Sequence, residues 1–183
     1  MSLARLSKLV QFPIWVALAC LVAGLYGAAH NQVSYTLGPS YFTAFKFAQF
    51  QIGADVPPRL GAALVGWRAS WWMGALTGVP LFALALAARS RAAYARLCRM
   101  ALATVLGTAL LLGAVAVLLG VTVLGEEHLA LLLGGRNPPD PMGFARAGLL
   151  HDTSYLGGLA GFALAALRIA VRLWRSYRGS GAA

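Results

Sequence analysis

Acidic residues are scarce in this chain, five among 183, and cysteines scarcer still at two. Two cysteines, Cys20 near the middle of one apolar segment and Cys98 at the start of another, imply no disulfide framework and no cysteine-built metal site. Phosphate-cradling loops, nucleophile elbows and dinucleotide fingerprints are missing too, which removes the common sequence signatures of nucleotide and acyl-transfer enzymes. Charge of either sign is rare, at 11% of residues, whereas 60% are hydrophobic. So apolar a composition is that of an integral membrane protein, not of a water-soluble domain. The formal net charge of +10 does not point to nucleic acid, because the basic residues interrupt and flank apolar segments and form no stripe on a polar domain.

Four apolar segments are present. The first uncharged run, Leu9 to Ala29, has 21 residues, enough helix to cross a hydrocarbon core of roughly 30 Å. Its basic approach, "MSLARLSKLVQFP", has the flavour of a signal peptide, and "ALAC" offers a lipoprotein alternative, but its length favours a retained transmembrane helix. Further uncharged runs cover Ala69 to Ala88, Met100 to Gly125, and a stretch from Thr153. The expectation is an all-α membrane protein: a single domain, 1–183, with a four-transmembrane-helix bundle spanning about 9–30, 66–88, 100–125 and 150–171. Two longer extracytoplasmic loops, 31–65 and 126–149, connect the spans.

Charge orients the spans. Arg5, Lys8, Arg89, Arg91, Arg96, Arg99, Arg168, Arg172, Arg175 and Arg178 fall on one side without an acid among them. The other side holds Asp55, Glu126, Glu127, Asp140 and Asp152, with Lys46, Arg59, Arg68, Arg136 and Arg146. Cytoplasmic loops of membrane proteins carry the excess of Lys and Arg. Both termini and the short 89–99 connection are therefore expected in the cytoplasm, and His30, His128 and His151 on the outer side.

Local pattern adds detail. Val33, Tyr35 and Leu37 alternate as in a strand, whereas Phe42, Phe45, Phe47 and Phe50 fit neither a period of 3.6 nor one of 2. A short helix or extended segment in the headgroup zone is expected there, where aromatic rings are favoured. Asp140 before Pro141 reads as a helix N-cap with proline at the first helical position, which puts "HDTSY" (151–155) within a helix. Only 15 uncharged residues follow, Thr153 to Leu167, about 22 Å of helix. Either Arg168 snorkels to the inner headgroups or His151 and Asp152 lie at the outer acyl boundary.

Helical spacing then selects the inward side chains. His151, Ser154, Tyr155 and Gly158 share a face beside the small residues Gly157 and Gly161. Ala23, Gly27 and His30 share one on the first span. Gly113, Gly120 and Glu127 recur every seven residues on the third, turning Glu126 aside. Gly66, Ser70, Gly74 and Gly78 form a packing face on the second, bent by Pro80. Arg68 points away from that face and, beside Trp67, Trp71 and Trp72, reads as an interfacial anchor, with a counter-ion role as the alternative. The candidate site is thus His30, Glu127 and His151, supported by Asp152, Glu126 and His128.

The runs "HNQVSYTLGPSYFTAFKFAQF", "PPRLGAALVGWRASWWMG" and "HDTSYLGG", about a third of the chain, resemble a group of small bacterial four-helix integral membrane proteins without an assigned function. That resemblance implies a bacterial inner membrane and no particular chemistry. Three functional readings stand open: a structural or accessory membrane component; a zinc, iron or manganese site on the two imidazoles and a carboxylate, catalytic or not; and a haem-binding or solute-transport protein. Apolar span centres without an acid count against a proton or ion pathway. The partners expected are the lipid bilayer and a membrane protein or a second copy, with no nucleic acid. A cysteine placed at Gly179 should be shielded from a membrane-impermeant thiol reagent in intact cells, and labelling from outside would reverse the orientation.

Overall fold

The computed structural model describes residues 7–178, so Arg5 and Gly179 lie outside the described part. Every regular element among these residues is helical. Four long helices dominate: α1 (Lys8–Leu37), α2 (Pro58–Ala85), α3 (Arg91–Thr122) and α4 (Pro141–Arg178). Three of them, α1, α3 and α4, are long and apolar enough to cross a membrane. The 28 residues of α2 are less uniformly apolar, since its first half carries Arg59 and Arg68.

Short polar side chains fix three of the helix starts by accepting from backbone donors that have no partner within the helix. Ser7 Oγ accepts from the Val10 N–H at 3.3 Å and Ser90 Oγ from the Ala93 N–H at 3.1 Å. Asp140 Oδ1 accepts from the Gly143 N–H at 2.9 Å, the cap that the Asp-Pro pair anticipates. At the end of α2, Lys8 Nζ donates to the carbonyls of Leu86 (2.7 Å) and Ala88 (2.9 Å). Pro80 leaves α2 a single helix through Ala85.

Several boundaries differ from the sequence reading. Val33, Tyr35 and Leu37 are helical, not strand-like, because a buried stripe of Gly24, Gly27, Asn31 and Ser34 carries the helical period to the end of α1. The connection to α2 is correspondingly shorter than 31–65, and much of it is helix: Pro39–Tyr41, a π-helical turn Phe42–Lys46, and Phe47–Gln49. A π turn closes i→i+5 bonds, here Phe47 N–H to Phe42 O. Its wider period explains why the phenylalanines match neither 3.6 nor 2. On the far side α4 starts at Pro141, well inside the expected 126–149 loop, and extends to Arg178. Arg168 makes a specific contact within the fold, donating to Thr104 Oγ1 at 2.8 Å on α3.

The helices associate as two antiparallel pairs, α1 with α2 and α3 with α4. In the first pair Gly27 lies against the backbone of Gly66, and Gly74 against that of Ala19. In the second, Gly157 faces Ala109 and Gly161 faces Val105. Each step along one helix is matched by an equal step back along its neighbour. Small residues allow this close approach, which supplies packing where lipid offers no hydrophobic drive. Between the pairs contact is sparser and concentrates in two clusters. One, at the end carrying Lys8 and Arg178, contains Trp15, Leu81, Phe82, Tyr94 and Ile169. The other, at the His30 end, contains Tyr41, Phe42, Val65 and Phe144.

A Cβ at Gly161 would stand 2.8 Å from Val105 Cα, whereas one at Gly107 would meet nothing within 4 Å. Gly161→Leu should therefore cost about 1–3 kcal/mol through overpacking, and Gly107→Ala should gain up to about 1 kcal/mol in helix propensity. Thermal unfolding of the purified variants reads the difference. Equal midpoints for the two would contradict the α3–α4 seam.

Candidate functional site

His30 on α1 and His151 on α4 converge. Their ring centroids are 4.9 Å apart and their planes at 83°, an edge-on contact. Aromatic rings enclose them: Tyr41 stands 4.9 Å and Phe42 6.0 Å from the His151 ring, and Tyr26 stands 5.6 Å from His30. The Pro39–Lys46 stretch delivers Tyr41 and Phe42 because Ser40 Oγ donates to the Asp140 carbonyl at 2.9 Å, pinning the stretch to the start of α4. Tyr26 and Ser154 hydroxyls bridge α1 and α4 at 2.7 Å.

Asn31 sets the proton on His30. Its amide nitrogen donates to the Ala62 carbonyl at 2.9 Å, and its Oδ1 lies 3.2 Å from His30 Nδ1. A carbonyl only accepts, so the amide nitrogen must face Ala62 and Oδ1 must face the imidazole. His30 Nδ1 therefore carries the hydrogen and Nε2 keeps its lone pair. The Nε2 atoms of His30 and His151 are both buried and neither meets a partner in good hydrogen-bond geometry, although the Leu150 backbone lies close to the His30 ring; an unmade bond of this kind costs about 1–3 kcal/mol. His151 is 7% exposed. A cavity of about 30 Å³ adjoins the pair, lined by both imidazoles, Asn31, Ser70, Ser154 and Tyr155 among others.

The carboxylates do not join them. Helix α3 ends at Thr122, short of the register that would carry Glu127 inward, and a 3-10 turn, Glu126–His128, follows. Glu127 is 72% exposed and its Oε1 lies 3.4 Å from His128 Nδ1. Glu126 and His128 are likewise exposed. Asp152, next to His151 in sequence, turns to the exposed side of α4. Among the described residues no group of three or more His, Cys, Asp and Glu is placed to hold a metal ion. The expected His30–Glu127–His151 triad is thus reduced to the imidazole pair, because α3 stops one turn too soon. Arg68 is no counter-ion to the pair; its guanidinium donates to the Phe50 carbonyl at 3.0 Å, tying the connection to α2. A porphyrin has no room between rings in edge contact, so His30 and His151 cannot serve as the two axial ligands of one haem in this arrangement.

Sequence reasoning missed Asn31 and the Tyr41–Phe42 cap. Asn31 was legible as the fourth residue after Gly27 on the same helical face. The cap was not, since it depends on the π turn.

Lys46 closes the surface at the His30 end, its ammonium 4.4 Å from the Phe45 ring centroid and 3.0 Å from Gln49 Oε1. Burial lowers its pKa from the ordinary value, opposed in part by the field of Asp152. Desolvation raises the Tyr41 phenol. A base with a lowered pKa gives up its proton earlier as pH rises. After reductive methylation with labelled formaldehyde, which marks the chain's two lysines, Lys8 and Lys46, the NMR signal lost in Lys46→Met should titrate below the ordinary lysine value of about 10.4. Titration at or above that value would mean that the ring enclosure is absent in solution.

No protein-family model, curated protein or solved structure matches this chain, so a functional reading stands on the imidazole pair and its surroundings.

Proposed function

We propose that the protein is a four-pass component of the bacterial cytoplasmic membrane with both termini in the cytoplasm, acting as a structural or accessory part. The close pairing of α2 with α1 supports a fourth pass. Lys8, Arg89, Arg91 and Arg178 gather at one end of the helices, which supports that end as the cytoplasmic one. The accessory reading draws on the dispersal of reactive groups. Cys98 is buried among the apolar residues at the Lys8 end, and Cys20 is half-buried on α1. The carboxylates stay out of the imidazole pair.

One observation carries the reading: His151 packs on the α1 ring of His30 and on Tyr41 and Phe42 of the connecting stretch. The ring clamps three segments at one point. A metal site is the second reading, favoured by the His30 tautomer, since a metal-ligating histidine commonly donates its other ring N–H to an acceptor. Zinc, iron or manganese would then take His30 and His151 and complete its shell with water or the hydroxyls of Ser70 and Ser154, not with Glu127.

Two substitutions separate these. His151→Ala removes the clamp and should cost about 3–5 kcal/mol, as for other buried rings. His151→Phe keeps a ring and should stay within about 1.5 kcal/mol of the native protein. Equal loss of stability in both would end the clamp reading. Stoichiometric zinc binding by the native chain, abolished in a stably folded His151→Phe, would favour the metal site.

A further inference from the structure

Two cavities meet beside the imidazole pair. The small one, about 30 Å³, has a polar lining, whereas a larger one of about 120 Å³ lies between the two helix pairs and draws its walls from all four long helices. Tyr26, Ser70, Ser154 and Tyr155 border both, so the first is the polar end of the second. Beyond them the larger space is walled mainly by apolar side chains such as Val22, Met73, Leu81, Phe82 and Val105. No Lys, Arg, Asp or Glu lines either cavity.

Size and polarity define what would fit. A cavity needs about 10–15 Å³ of water-accessible space to hold one water, so the small one has room for a hydroxyl head, and an apolar cavity of about 150 Å³ is known to take benzene. The larger space is partly open at its side, so a longer chain could continue into lipid. A charged molecule would find no counter-ion. The two unpartnered Nε2 atoms, one on a His151 that is 7% exposed, belong to rings that line the polar end. Packing alone would be served better by two apolar rings.

We propose that this two-part cavity binds a neutral, membrane-soluble molecule with an apolar body and one hydroxyl at its head. The hydroxyl donates to His30 Nε2, whose lone pair Asn31 keeps free, and the body fills the space between the helix pairs. Ring-headed lipids such as quinols and linear prenyl alcohols share this chemistry. The inference goes beyond the accessory role and does not depend on it, because the clamp is read by stability and the cavity by ligand binding.

The test uses the full chain in nanodiscs of zwitterionic lipid, with hexylphenol, its methyl ether and farnesol as probes in equilibrium dialysis. Hexylphenol or farnesol should bind saturably, and the methyl ether, which cannot donate, should bind at least about tenfold more weakly than the phenol. Tighter binding of hexylphenol assigns the ring-headed class; tighter binding of farnesol assigns the prenyl alcohols. His30→Phe should abolish the preference for the phenol over its ether. Gly158 lines the larger cavity, and a Cβ there meets nothing within 4 Å. Gly158→Leu should therefore fill the space, keep or raise the melting temperature, and reduce binding at least tenfold. The proposal is overturned by equal binding of phenol and ether, by undiminished binding to a folded Gly158→Leu, or by the absence of saturable binding of either alcohol. None of these would touch the His151→Phe stability comparison.

Discussion

Backbone-to-backbone approach at glycine is the constraint on which the other distances in this molecule depend. Gly27 against Gly66 and Gly74 against Ala19 bring α1 and α2 together, while Gly157 and Gly161 do the same for α4 on α3. In lipid the apolar faces of helices gain nothing by leaving solvent, so van der Waals contact over a long seam must do the holding. Glycine lengthens that seam by removing the Cβ that would hold the backbones apart. The two seams place small residues within each pair and leave the bulkier Trp15, Leu81, Phe82 and Ile169 to join the pairs. Large side chains separate helix axes. A gap between the pairs is therefore the geometric consequence of tight seams within them.

The His30 end solves a different problem. The helix ends must be covered by chain that cannot be a simple turn, and the stretch after Gly38 does it with rings. Tyr41, Phe42, Phe45 and Phe144 stack on one another at centroid distances of 5.0–6.3 Å. Edge-on and tilted contacts of this kind add about 0.5–1.5 kcal/mol each beyond the area buried. Lys46 and Arg136 sit over Phe45, at 4.4 and 4.7 Å from its centroid. Their charges face the ring instead of a carboxylate, which suits a chain with few acids. Beneath this cover His151 is removed from water, and that removal is what makes its unpartnered nitrogen consequential.

Much of this was legible in the sequence, for reasons that can be named. The inward faces of α1, α2 and α4 came from i, i+3 and i+4 spacing of small residues, a period that a continuous helix must obey. His30 and His151 meet because both lie on such faces. The same logic failed at Glu127, where a periodic extrapolation from Gly113 and Gly120 ran past the true end of α3. Helix ends depend on which backbone groups find partners, and "VTVLGEE" offers no strong stop signal before Gly125. Val33 to Leu37 misled in the opposite direction. Alternation over five residues is weak evidence against a packing stripe that runs for ten. For Arg168 the short fourth span leaves two alternatives in sequence, snorkelling or a shift of His151 and Asp152 to the acyl boundary, whereas its bond to Thr104 depends on the α3–α4 register, which no single segment encodes.

With both ends fastened, the space between the pairs cannot close by a simple tilt. At the Lys8 end, Tyr177 donates to the Ala87 carbonyl at 2.7 Å, tying the last turn of α4 to the α2–α3 connection. At the other end, Tyr26 and Ser154 join α1 to α4, and the imidazole pair lies within a turn of them. Tilting one pair toward the other at mid-depth would stretch one of these links. Shrinking the gap otherwise would require larger side chains where Gly74, Gly78 and Gly158 stand, yet Gly74 is committed to the α1–α2 seam. Gly158 is not so committed. A Cβ there would touch nothing, so seam packing does not explain the glycine, and its position on the cavity wall makes open space between the helix pairs its main structural consequence.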